Sequence, residues 1–195
     1  LRLRTHNQLP TPDPTMQFEP TSLPDVVLIT PRIFADDRGY FLEVYHSGKF
    51  AAGGLAASFV QDNLSRSARN VVRGLHYQLS HPQGKLVTVL QGAIYDVAVD
   101  LRRSSPTFGQ WVGVELDADR RQLLYIPPGF AHGFCVVSES ADVLYKCTDL
   151  YHPEHERTVL WNDPALGIEW PLTGPARLSS KDLLGKPLEH ADCFA

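Results

Sequence analysis

The chain has 195 residues, of which 43% are hydrophobic, and a net charge of −4 at pH 7. This length fits one domain, and the apolar fraction is sufficient for a complete core. The acidic balance argues against a broad nucleic-acid-binding surface. The sequence contains no apolar run near the ~18 residues of a membrane span, so we expect neither nucleic acid nor a membrane among its partners.

The cysteines indicate a reducing environment. There are three, Cys135, Cys147 and Cys193, and they form no Cys-x-x-Cys pair. An odd number without such spacing predicts no disulfide framework, and without a visible secretory signal we expect a cytoplasmic protein. Residues 1–15 contain three prolines and no periodicity, so they are interpreted as a flexible extension or an expression remnant. Residues 16–195 are then the single domain.

Most of the chain reads as short strands separated by turns. Apolar and β-branched runs are predicted to form strands at 26–30, 40–45, 59–61, 70–78, 85–91, 93–100, 111–116, 122–126, 131–137 and 144–149. Only 47–57 and 178–184 favour helix, the second with Ser179 or Ser180 near its cap. Many short strands at this spacing predict an all-β, antiparallel jelly roll with a few short peripheral helices.

The hairpin at residues 70–91 carries the most reactive side chains. Alternation along a strand predicts that His76 and Gln78 share a face, and Lys85 begins the next strand. Taken alone, the histidine is more often structural and the lysine solvated. Arg73 lies three residues before His76, so it should face the other way unless Gly74 hosts a β-bulge.

A metal centre is the first alternative for a small β-barrel. The His-x-His pair such sites often use is replaced here by His76-Tyr77-Gln78, and His132 adds only a second imidazole without a clear third ligand. We therefore predict no metal. The remaining histidines are in or near turns and are predicted to be solvated: His6, His46, His81, His152, His155 and His190. No Gly-x-Ser-x-Gly motif or Gly-rich phosphate loop is present.

Several longer blocks resemble one family, the dTDP-4-dehydrorhamnose 3,5-epimerases. Among them are Arg73-Gly74-Leu75-His76-Tyr77-Gln78, Gln83-Gly84-Lys85-Leu86-Val87 and Tyr145-Lys146-Cys147-Thr148-Asp149. Further blocks lie at 37–43, 60–63, 96–102, 126–134, 161–164 and 168–171. The resemblance extends in order over about residues 16–184. It implies a cupin-type jelly-roll barrel, a homodimer, no metal or organic cofactor, and a dTDP-4-keto-6-deoxyhexose as substrate.

The resemblance also implies roles for individual residues. His76 corresponds to the general base, Asp182 to the carboxylate that orients it, Tyr145 to the general acid and Lys85 to the group that stabilises an enolate oxygen. Substrate contacts are implied at Arg38, Phe41, Glu43, Gln61, Asn63, Arg73, His132, Tyr151, Glu156 and Lys181. Leu150 departs from the family, which often has a tyrosine at this position. The resemblance therefore does not predict the detailed shape of the sugar pocket.

Three other functions compete with 3,5-epimerisation at this stage. One is a single-centre epimerase of the same fold that acts on a dTDP-4-keto-deoxysugar of secondary metabolism. Another is a jelly roll that binds a sugar nucleotide without turnover, although a pure binder needs no paired base and acid. The third is a metal-dependent cupin oxygenase, which Gln78 disfavours.

Overall fold

The computed structural model describes residues 16–195, and β-strands dominate it. In chain order the strands are β1 Gln17–Pro20, β2 Val27–Thr30, β3 Ile33–Asp36, β4 Gly39–Leu42, β5 Gln61–Ala68, β6 Val72–Gln78, β7 Lys85–Gln91, β8 Ala93–Asp100, β9 Trp111–Asp117, β10 Leu123–Ile126, β11 Phe130–Val136, β12 Ser140–Cys147 and β13 Glu156–Thr158. The helices are α1 Ser47–Ala52 and α2 Ser180–Leu183, with 3₁₀ turns at Pro153–His155 and Leu188–His190. The prediction for residues 1–15 lies outside the described part of the chain.

Two antiparallel sheets form the body of the fold. The larger has the strand order β1-β2-β10-β7-β12-β5, the smaller the order β13-β6-β11-β8-β9, and β3 pairs with β4 in a separate hairpin. The inner faces share a core that includes Val87 and Val89 of the larger sheet and Ile94, Ala98 and Phe134 of the smaller one. The all-β jelly-roll prediction is confirmed, with two facing sheets rather than a closed barrel.

The smaller sheet is covered on its outer face as well. All seven residues of β11 are buried, because a second core packs Ala131 and Val99 against Leu166, Leu188 and Phe194 of the C-terminal segment. A strand buried on both faces reads as a continuous apolar run, and 131–137 was predicted on that basis. None of the described helices is long and apolar enough to span a membrane.

The strand β5 was not predicted beyond residue 61. Its sequence, QDNLSRSA, is mostly polar and its burial alternates, since it forms the edge of the larger sheet and pairs only with β12. Through this pairing β12 begins at Ser140, four residues before the start predicted at residue 144. The helix predicted over 47–57 is also wrong in length, since α1 ends at Ala52 and is followed by Gly53 and Gly54.

A bulge at Gly74 changes the direction of two cavity residues. β6 and β11 pair His76 with His132 but Arg73 with Phe134, so three steps on one strand oppose two on the other. Gly74 has φ of 122°, and an added Cβ would lie 2.5 Å from the Cα of Gly133. Only glycine fits such a position. Arg73 and His76 both line the same cavity. The sequence allowed this only if Gly74 formed a β-bulge, and that bulge is confirmed.

Candidate active site

Both sheets contribute to one polar cavity of about 310 Å³. Strands β5, β7 and β12 of the larger sheet form one wall, and β6, β11 and β13 of the smaller sheet form the other. The lining residues are Gln61, Asn63, Ser65, Arg73, His76, Lys85, His132, Phe134, Tyr145, Tyr151, Glu156 and Lys181. Ten of these were singled out from the sequence, and their strands now bring them together.

His76 and Asp182 form a close pair at the edge of the cavity. The Nε2 atom of His76 lies 2.7 Å from Oδ1 of Asp182, whose side chain is 3% exposed. This polar contact is close, although Nε2 has no hydrogen-bond partner of good geometry, and it becomes an ion pair only when His76 takes up a proton. Burial and the positive charges of Lys181 and Lys85 lower the pKa of His76, against the opposing effect of Asp182. His76 is therefore neutral at pH 7, as a base must be.

A capping box holds Asp182 in place. The side chain of Ser179 caps α2, and Oδ2 of Asp182 accepts hydrogen bonds from the backbone N–H and the hydroxyl of Ser179. The N–H of Gly74 donates to Oδ1 over 3.1 Å. Burial alone would raise the pKa of Asp182, but the contacts with His76, Ser179 and Gly74 outweigh it and keep the pKa well below its usual range. Of the two serines predicted near the cap, Ser179 is the N-cap residue.

Lys85 is a buried cation in the cavity wall. It is 8% exposed, and its Nζ lies 3.5 Å from the carbonyl oxygen of His76. Burial lowers the pKa of this ammonium from its ordinary value of 10.5, while Cys147, Glu156 and Asp96 act in the opposite direction. A cation held in a poorly hydrated site interacts strongly with any negative charge that develops beside it.

Tyr145 lies on the wall that faces His76. It belongs to β12 of the larger sheet, where it pairs with Asn63 of β5, whereas His76 belongs to β6 of the smaller sheet. Burial, followed by the nearby Cys147, raises the pKa of Tyr145 above 10.0, against the effect of Arg73. Its hydroxyl is consequently protonated throughout the neutral range.

Sequence reasoning did not find the partner of His132. Nε2 of His132 lies 3.0 Å from each carboxylate oxygen of Asp96, and both side chains are buried. Asp96 lies on β8, the strand next to β11. The predicted alternation that places His132 and Phe134 on one face is confirmed, but only the three-dimensional pairing reveals that a buried carboxylate fixes this imidazole.

A network of polar side chains crosses the cavity mouth. The hydroxyl of Tyr151 donates to Oε2 of Glu156 over 2.7 Å, and Lys181 forms an ion pair with Oε1 of the same carboxylate. The hydrogen bond to Glu156 raises the pKa of Tyr151 to about 12. On the other side, Gln61 accepts the backbone N–H of Tyr151 and donates to Asn63.

Three of the predicted substrate contacts lie elsewhere in the chain. Arg38 and Phe41 are on the β3–β4 hairpin, where Arg38 pairs with Asp36 and Phe41 is 68% exposed. Glu43 pairs with Lys49 beside a different cavity, of about 370 Å³. Their predicted contacts with substrate are not made within one chain and stay predictions.

The fold and the site together define an acid–base enzyme built on a jelly roll, without an exposed nucleophile among the cavity residues that the structure describes. The sequence profile of the dTDP-4-dehydrorhamnose 3,5-epimerases matches residues 20–190. The chain belongs to this family and is accordingly an epimerase of the isomerase class.

Individual relatives agree with this assignment. The dTDP-4-dehydrorhamnose 3,5-epimerase of Pseudomonas aeruginosa is 58% identical over 174 residues, which cover 89% of this chain and 96% of the relative. The dTDP-4-dehydrorhamnose 3-epimerase of Streptomyces niveus is 44% identical and covers 86% and 81%. A crystal structure of a dTDP-6-deoxy-D-glucose-3,5-epimerase from Legionella pneumophila in complex with dTDP-4-keto-L-rhamnose superposes with a TM-score of 0.88, at 49% identity over 91% of this chain and 95% of that one.

Proposed function

We propose that this epimerase inverts C3 and C5 of dTDP-4-dehydro-6-deoxy-D-glucose and so forms dTDP-4-dehydro-L-rhamnose for dTDP-L-rhamnose synthesis. The observation that carries the proposal is the placement of a neutral, partly buried histidine and a protonated tyrosine on opposite walls of one cavity. Inversion at carbon needs a base on one face and an acid on the other, and His76 and Tyr145 meet that requirement.

The chemistry follows from the position of the 4-keto group. A C–H bond next to a ketone is acidic because its electron pair can move onto the carbonyl oxygen as an enolate. The ring nitrogen of His76 that does not face Asp182 takes the proton, and Asp182 stabilises the imidazolium that forms. Lys85 stabilises the enolate oxygen. Tyr145 then donates its proton to the opposite face of the carbon, and exchange with solvent restores the protonation states of both residues.

The same constellation serves both carbons, because C3 and C5 flank the same keto group. Once the enolate has been reprotonated, the neighbouring carbon only has to be brought to His76 for a second inversion. The cavity wall offers positive charge from Arg73 and Lys181 to a negatively charged sugar nucleotide. His132, Gln61 and Asn63 add polar groups that can form hydrogen bonds. Binding energy from the nucleotide end positions the sugar at the reacting groups.

A single-centre epimerase is the second candidate, favoured by the 44% identity with the Streptomyces niveus 3-epimerase. The discriminating experiment is solvent exchange in D₂O with the 4-keto substrate, followed by NMR. We expect deuterium at both C3 and C5. Incorporation at one carbon alone would establish the single-centre reaction, and incorporation at neither would favour a protein that binds without turnover.

We also propose that the protein acts as a homodimer in the cytoplasm, as one jelly-roll domain over residues 16–195. The β3–β4 hairpin pairs only with itself among the described strands and exposes the aromatic residues Phe34, Tyr40 and Phe41. A second copy of the chain would cover these side chains and bring Arg38, Phe41 and Glu43 into the partner's cavity. Three free cysteines suit a reducing compartment.

Complementation between two inactive variants tests this dimer. Arg38→Ala and His76→Asn homodimers should each be severely impaired, because every site lacks one group. When the two variants are denatured and refolded together, half of the dimers are mixed and have one intact site, so about a quarter of wild-type turnover should return. If Arg38 serves its own chain, no mixed dimer has an intact site and the mixture remains as inactive as its parents.

A further inference from the structure

Two loops outside the cavity bring together His81, Asp149 and His152. One potential ligand atom from each of the three lies within 4.8 Å of the others. His81 belongs to the connection between β6 and β7, whereas Asp149 and His152 follow β12. None of the three lines the catalytic cavity. The sequence predicts His81 and His152 as solvated residues in or near turns and Asp149 as the last residue of the strand at 144–149, so only the fold makes them neighbours.

Two buried or partly buried amides fix the backbone that carries this cluster. Gln78, which is 3% exposed, donates to the carbonyl oxygens of His81 over 2.8 Å and Leu150 over 3.2 Å. Its Oε1 accepts the N–H of His152 over 2.7 Å. Gln83 donates to the carbonyl oxygen of Asp149 over 2.9 Å. A hydrogen bond from a glutamine side chain thus fixes the backbone of each of the three residues. The backbone positions of the cluster are therefore preorganised.

The side chains themselves have the composition of a transition-metal site. The rings of His81 and His152 are stacked, with centroids 4.4 Å apart and an angle of 25° between planes. Oδ2 of Asp149 lies 3.4 Å from Nδ1 of His81. Two imidazoles and one carboxylate are ligands that Zn²⁺ uses, usually with a fourth position for water. His155 and Glu154 flank the cluster, with the ring of His155 5.6 Å from that of His81.

The distances are compatible with one ion. Ligand atoms bound to the same tetrahedral Zn²⁺ at about 2.1 Å lie roughly 3.4 Å from one another. The ligand atoms now lie within 4.8 Å of one another, so binding of one ion requires them to approach by up to about 1.4 Å. All three side chains are partly exposed, at 52% for His81, 39% for Asp149 and 31% for His152, so an ion can reach them from solvent.

We propose that His81, Asp149 and His152 form a site for one Zn²⁺ ion that ties the β6–β7 loop to the segment after β12. That segment continues directly from Asp149 through Leu150 to Tyr151, which lines the cavity. Bound zinc therefore restrains one side of the cavity mouth. It takes no part in the proposed epimerisation, in which His76 and Tyr145 transfer protons and Lys85 stabilises the enolate oxygen, so the site is separate from the catalytic chemistry.

The test is a titration of the full chain, freed of metal by chelator, with ZnCl₂ in an isothermal titration calorimeter. We expect one Zn²⁺ per chain for the wild type. His81→Ala and His152→Ala should each weaken binding by at least about 10-fold, since each removes a ligand. His190→Ala is the matched control, because His190 is an exposed histidine that pairs with Glu189 away from the cluster, and its titration should match the wild type.

Hydrogen exchange provides the structural readout. Zinc should slow exchange of the backbone amides at residues 148–152 in the wild type but not in His81→Ala. Stoichiometric binding that survives both alanine substitutions would place the ion elsewhere, for example at His76, and would overturn the proposal. Absence of saturable binding would overturn it as well. Turnover of the chelator-treated wild type should stay unchanged in either case, so failure of the zinc site leaves the proposed epimerisation intact.

Discussion

His76→Asn is expected to reduce turnover by roughly 10³- to 10⁴-fold, the contribution of a well-placed general base, and to abolish deuterium incorporation at both C3 and C5. Asparagine keeps a side chain of similar shape near Asp182 but cannot accept the proton. NMR of the substrate in D₂O measures exchange, and kinetics measure turnover. Circular dichroism checks that the fold is retained, as expected for a side chain that is 24% exposed.

Tyr145→Phe is the matched variant for this experiment. It removes only the hydroxyl from the opposite wall, so His76 still takes the proton and returns a deuteron to the same face. We therefore expect exchange to continue while formation of the inverted product falls by roughly 10²- to 10³-fold. Exchange or turnover near the wild-type level in His76→Asn would remove His76 from the role of base.

Lys85→Met is expected to lower kcat by roughly 10²- to 10³-fold, as removal of a group that stabilises an oxyanion does in other enzymes. Methionine fills a similar volume without the charge. Because a buried cation is costly to desolvate, the variant should be at least as stable to heat as the wild type. Lys146→Met is the control, since Lys146 pairs with Asp62 outside the cavity, and it should retain full activity. A Lys85→Met enzyme within threefold of wild type would exclude the enolate role.

The pH dependence of kcat/KM can show whether Lys85 or Tyr145 is responsible for the loss of activity at high pH. As pH falls, protonation of His76 should reduce kcat/KM, and this acid limb should lie below pH 6.5, because burial lowers the pKa of His76 from that value. As pH rises, either loss of the Lys85 charge or ionisation of Tyr145 would reduce activity. Burial lowers the pKa of Lys85 from 10.5 and raises that of Tyr145 from 10.0. These opposite shifts favour Lys85 as the group behind the alkaline limb, so we expect this limb to disappear from the residual activity of Lys85→Met.

Local patterns predicted the strands that bury apolar faces. Strands such as β8 and β11 carry continuous hydrophobic runs, and their burial matches the pattern. Most of β5 was not predicted, because an edge strand with one solvated face has little hydrophobic periodicity. The position of Arg73 depended on whether Gly74 formed a bulge, which is decided by the close approach of Gly133 from β11 and not by local sequence.

The candidate site was predictable only through the resemblance to a family. Alternation could place His76 and Lys85 near one another, but Asp182 lies more than one hundred residues away from Gly74 in the chain and reaches it through the docking of α2. The pairing of Asp96 with His132 could not be predicted from the sequence, because a carboxylate within a strand becomes a histidine partner only through cross-strand pairing. The cluster of His81, Asp149 and His152 was overlooked for the same reason.

The capping box at α2 links catalysis to the order in which the chain is made. Ser179 and Asp182 follow every strand of both sheets in the chain, whereas His76 and Gly74, the partners of Asp182, belong to β6. During synthesis both sheets can therefore be complete while His76 still lacks its carboxylate. In the proposed mechanism the site is complete only after α2 has been made and has docked against β6.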